Sequence, residues 1–209
     1  MINKPKDYDN IPIGVGESLK AGGHKCVIKK LEEATSSKGN QMLVIYFDTA
    51  DEDIQPGFYM NRYVNDTRAD KKWGGRFFLV NGGEYGPANL RRFVTSVADS
   101  NDENVLMSKG WKEVKNGRGQ LEWQPSWGSG FEESFKDMKV GLVFRKEEYT
   151  REDHTLGVAT KGFRWCNYDK AYEQKEPERK AAPAPIQQPD YGFVNVPADA
   201  LEDEGLPFK

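Results

Sequence analysis

The chain has 209 residues, 37% hydrophobic, 12% aromatic and 30% charged, with a net charge of -3; that suits one domain with appendages, since so low an apolar fraction cannot pack throughout. No run approaches the roughly 18 apolar residues of a membrane-spanning helix, and MINKPKDYDN has no apolar signal core. Two cysteines, Cys26 and Cys166, cannot make a disulfide scaffold, so the expected location is a reducing cytoplasm.

Residues 1–19 read as an N-terminal extension and 20–170 as the folded domain. After Gly22-Gly23, His24 to Leu31 reads as a strand. In QMLVIYFDTA (41–50), Leu43, Ile45 and Phe47 share one face at period 2, with Met42, Val44 and Tyr46 on the other. FYMNRYVND (58–66) alternates in the same way and is expected as a third strand, with Phe58, Met60, Arg62 and Val64 on one face and Tyr59 and Tyr63 on the other. A basic loop and the short apolar stretch FFLV (77–80) follow. In residues 86–101 the period changes: Leu90, Phe93, Val94 and Val97 recur at helical spacing, and Pro87 suits a first turn. Residues 102–138 are an irregular Gly- and Trp-rich insertion, with a short helix around Phe131 and Phe135 and at least one tryptophan in a satellite core. Strands are expected over 139–149 and 155–169. Residues 171–198 read as a Pro-rich, charged linker and 199–209 as an acidic tip. Three strands, a helix and two strands is the element order of the OB-fold. The expected fold is therefore mainly β with one principal helix: an OB-like five-stranded barrel with an insertion and a disordered acidic tail.

Residues 61–78, NRYVNDTRADKKWGGRFF, interleave bases with rings, the mixture that single-stranded nucleic acid needs. Arg62, Lys71, Lys72 and Arg76, with Arg68, can follow phosphates; Tyr59, Tyr63, Trp73 and Phe77 can stack on unpaired bases. Arg145, Arg164 and Trp165 on the last two strands extend the groove. The competing expectation is that Phe77, Phe78 and one tyrosine are core and that the bases solvate a loop. His24 and Cys26 lack the spacing of a zinc site and are expected as a satisfied histidine and a buried thiol. Asp48, Asp51 and Asp53 are better explained by a turn than by a metal. No nucleotide-binding fingerprint, P-loop or nucleophile pattern occurs. No catalysis, metal or cofactor is expected.

The last residues, Glu202-Asp203-Glu204-Gly205-Leu206-Pro207-Phe208, place an aliphatic residue, Pro and Phe after an acidic run. They resemble the C-terminal tip of bacterial and phage single-stranded DNA-binding proteins. The body is similar to those encoded by phages in replication and recombination cassettes, in AGGHKCVIKK, NDTRADKKW and KVGLVFRKEEY. The resemblance implies an OB-fold, binding and protection of single-stranded DNA without strong sequence preference, and no enzymatic activity. It also implies recruitment of replication or recombination proteins through Glu202, Asp203, Glu204, Leu206, Pro207 and Phe208, in the host cytoplasm, with homo-oligomerisation left open and no membrane partner. In that family the Phe carboxylate itself contacts the partner; here Lys209 follows Phe208. The alternative is a protein-interaction adaptor without nucleic-acid binding.

Overall fold

The computed structural model describes residues 18–182, except 37, 38, 81, 83 and 152. The elements run β1 (Gly22–Thr35), β2 (Gln41–Thr49), α1 (Phe58–Asn65), β3 (Arg76–Val80), α2 (Gly86–Ala98), α3 (Glu103–Ser108), β4 (Lys112–Lys115), β5 (Leu121–Gln124), β6 (Lys139–Thr150) and β7 (Leu156–Cys166). The protein is mainly β. Its principal sheet is antiparallel, in the order β3-β2-β1-β6-β7, and β4-β5 form a separate hairpin in the insertion.

Alternation sets the two faces of this sheet. Leu43 lies opposite Leu79, and Ile45 opposite Phe77, on the inner face. Leu142 and Trp165 form an inward pair on β6 and β7. Against this face α2 turns Phe93, Val94 and Val97, all buried. A chain of aromatic contacts then runs through the core: Trp111 to Phe135, Phe135 to Phe93, Phe93 to Trp165 and Trp165 to Phe77, with centroids 4.9–5.1 Å apart. The insertion is thus tied to the core by the buried Trp111, whose Nε1 donates to Ser134 O at 2.8 Å.

Two expectations are corrected. Residues 58–65 are helix α1, not a strand, and the third strand is Arg76–Val80. The ends of β2 supply the reason. Thr49 Oγ1 accepts from Phe58 N at 2.8 Å, and the Asp48 carboxylate accepts from Tyr59 N and Met60 N at 2.9 and 3.1 Å. The first-turn N–H groups of α1 are thereby satisfied from outside the helix. The second correction concerns the barrel: the sheet is not closed. Its edges, β3 and β7, approach through side chains, with no ladder between them among the described residues. Gly162 permits the approach, since a Cβ there would lie 2.8 Å from Phe77 Cδ2.

The ordered body extends past the expected start of the linker. Ala171 is fully buried, and Tyr172 donates its hydroxyl to Asp53 Oδ1 at 3.2 Å. Further on, Lys180 N donates to Lys146 O and Glu148 N to Lys180 O, so Lys180 pairs with β6 beyond Phe144, where its pairing with β1 stops. At the other end, Leu19 of the expected extension is core, and Lys20 N donates to Gln55 Oε1. The acidic tip, including Glu202, Asp203, Glu204, Leu206, Pro207 and Phe208, lies outside the described residues.

Candidate nucleic-acid interface

The outer face of the sheet presents rows of side chains across three strands. The register aligns Lys30, Tyr46 and Arg76, and then Glu32, Val44 and Phe78. Phe78 is 53% exposed, and the Arg76 guanidinium lies 5.8 Å from its ring centroid. Across the open seam, Arg145 lies 4.3 Å from the centroid of the half-exposed Phe163. A third cation–ring pair sits in the loop before β3, where Lys71 is 4.6 Å from the Tyr63 centroid. Tyr63 packs on Trp73 at 5.8 Å, and Trp73 Nε1 donates to both Phe47 O and Gly75 O at 3.1 Å. These two bonds pin the basic loop to the edge of the sheet.

Not every cation is equally available. Arg68 grips Asp66 through Nε and Nη2, at 2.9 and 2.6 Å. That hydrogen bonding lowers the Asp66 pKa to about 2, so the pair remains ionised and Arg68 is already neutralised. Arg145 pairs with Glu147 at 2.7 Å, and Arg164 Nη2 donates to Gln174 at 3.1 Å. Among the described residues, Arg62, Lys72, Arg76 and Arg92 have no carboxylate at ion-pair distance.

The residues singled out from sequence divide between surface and core. Arg62, Lys72 and Arg76 are exposed; Tyr63, Lys71, Trp73, Arg145 and Arg164 are half-buried. Tyr59 and Phe77 pack against the core, and Trp165 is only 4% exposed. Burial pushes the Tyr59 hydroxyl pKa well up. The rings that face solvent here are instead Phe78, Phe163 and Tyr85. Alternation held the signal for Phe78, since only one of the adjacent Phe77 and Phe78 can point inward.

Between the edges lies a cleft of about 360 Å³, lined from β3, β7 and the start of α2. Trp165 contributes to its wall, and its indole Nε1 and Arg164 Nε are buried without hydrogen-bond partners among the described residues. Elsewhere, a groove of about 380 Å³ with mixed polar and apolar walls lies beside the 56% exposed Trp127, which stacks on Phe131 at 5.2 Å.

The residues weighed for metal chemistry have structural roles. Asp53 accepts from Lys25 N and Gln55 N, and its Oδ2 lies 2.8 Å from His24 Nδ1. Burial opposes its ionisation, but the His24 hydrogen bond and the backbone donors outweigh this and lower its pKa. Burial raises the Asp48 pKa against three backbone N–H bonds. Cys26 is fully buried, and burial raises its thiol pKa. Among the described residues no group of three or more His, Cys, Asp and Glu is placed to hold a metal, and no helix is long and apolar enough to cross a membrane.

No protein-family model matches the chain, and no curated protein matches it.

Proposed function

We propose that the protein binds and protects single-stranded DNA through an OB-like body, without strong sequence preference, during phage DNA replication or recombination. The observation that carries this reading is the set of cation–ring pairs around the open edges: Arg76 with Phe78, Arg145 with Phe163, and Lys71 with Tyr63. Rings accept any base by stacking, at about 1–3 kcal/mol per base, while cations follow phosphates. The strand order, with a helix between the third and fourth strands of the sheet, is compatible with an OB-like topology whose last closure is missing. Tyr59, Phe77 and Trp165 support the surface from beneath; Phe78, Phe163, Arg76, Lys72 and Arg62 form it. The acidic tip, Glu202 to Phe208, recruits a replication or recombination protein through an apolar pocket with a basic rim. No catalytic step, cofactor or metal enters this reading.

The test is oligonucleotide binding over a salt series, by the full chain and by a chain ending at Ala182. Ending at Lys170 would cut away the ordered Ala171 and Lys180. Binding that falls with salt, and weakens about tenfold in Phe78→Ala, supports the proposal. No retardation of oligonucleotide at low salt would sink it. The groove beside Trp127 favours the second reading, a protein-interaction adaptor, which predicts partner capture with no DNA affinity.

A further inference from the structure

The cleft between β3 and β7 carries a more specific assignment, which rests on the single-stranded reading for the source of its ligand. We propose that this seam is a pocket for one nucleotide unit, with the base inside and the phosphate at the first turn of α2.

The walls suit a base. A cleft of about 360 Å³ has room for a flat heterocycle, and Phe77, Phe163 and Trp165 line it from the two strands. Tyr85, 69% exposed, stands at the mouth as a ring able to close over an inserted base. The rim of a base alternates donors and acceptors, and the seam offers partners for them. The outer edges of β3 and β7 have no strand partner among the described residues, so their free backbone N–H and C=O groups flank the cleft. Behind that wall, the indole N–H of Trp165 finds no acceptor among the described residues. A buried donor left without a partner is costly, and a small inward shift of ligand and indole would let a base carbonyl satisfy it.

The phosphate side has its own determinants. Gly86, the first residue of α2, lines the cleft, and among the described residues no side chain caps the helix. Pro87 has no N–H, so the first turn offers those of Gly86 and Ala88, which with the helix's partial positive charge favour an anion there. Arg92, nearly two turns further along and also lining the cleft, adds a full charge with no carboxylate at ion-pair distance among the described residues. Glu84 is the carboxylate in the lining, and the exocyclic amine of cytosine is its chemical match. Cytosine is therefore the base for the probe.

The experiment is a titration of the ¹⁵N-labelled full chain, followed by amide and indole resonances. One arm uses deoxycytidine 5′-monophosphate alone; the other uses a short deoxycytidine oligonucleotide. The expected result is movement of the Trp165 indole N–H and of the Gly86, Phe77 and Phe163 amides with both probes, and about tenfold weaker binding of both by Phe163→Ala. Arg92→Gln is expected to weaken the monophosphate in the same way. If the oligonucleotide binds but moves only residues around Arg76 and Phe78, the pocket is overturned and the strand-binding reading stands. Seam shifts with the monophosphate and no oligonucleotide binding would keep the pocket, as one for free nucleotides, and remove the strand reading. Silence in both arms overturns both.

Discussion

Asp48, near the end of β2, and Asp53, in the turn that follows, respond to pH in opposite senses. Asp53 has a lowered native pKa, with the buried His24 and backbone donors holding its carboxylate against the cost of burial. Its contribution is full above the unfolded carboxylate value, about 3.9, and is lost as pH falls through the lower native value. Asp48 has a raised native pKa, so its contribution is full below the unfolded value and is lost as pH rises through the native one. Asp53→Asn should therefore lower stability at pH 7 and narrow the difference between urea midpoints at pH 7 and pH 3. An unchanged difference would count against this role. Asp48→Ala removes the acceptor for two first-turn N–H groups of α1 and should cost about 2 kcal/mol in urea denaturation. A loss within about 0.5 kcal/mol, the range of an ordinary surface change, would mean that water replaces the cap.

At the scale of elements, the close contacts are made by glycines. A side chain at Gly23 would strike the Ala171 carbonyl, so β1 and the turn at Ala171–Glu173 fit only with glycine there. Gly23→Ala should displace residues 171–182 and expose them to limited proteolysis while the sheet survives; resistance equal to that of the parent chain would refute the coupling. Much of this architecture was legible beforehand. The alternation of Leu43, Ile45 and Phe47 identifies β2, and the spacing of Leu90, Phe93, Val94 and Val97 identifies α2. Helix α1 was not legible, because FYMNRYVN carries a period-2 pattern while its cap comes from Asp48 and Thr49 on another element. The β4-β5 hairpin escaped because KEVK and LEWQ are four-residue strands with little apolar alternation. At the site, the basic loop was found from composition. The inward turn of Trp165 was not, because a register shift between Val143 and Phe144 resets which β7 residues face the core.

Across the whole molecule, the charge divides near Ala182. Residues 183–209 contain five acids and one base, a net charge of -4. The remaining residues therefore carry +1, and residues 171–182 contribute nothing net because their three acids match three bases. Ending the chain at Ala182 removes the whole acidic excess while sparing the contacts of Ala171 and Lys180. If the tail competes for the cationic edges, that truncation should tighten oligonucleotide binding, most strongly at low salt. Equal affinity for both chains at every salt concentration would rule out the competition. The tryptophans give the protein its own optical channels for such measurements. Trp111 and Trp165 are buried, Trp73 is pinned beside the basic loop, and Trp127 stands exposed in the groove away from the seam. Quenching by a strand should register at Trp73 and, if a base enters the seam, at Trp165, and should persist in Trp127→Phe, whereas a ligand in the groove should lose its signal in that variant. The parent chain and Trp127→Phe, both unlabelled, can thus report which of two surfaces is occupied.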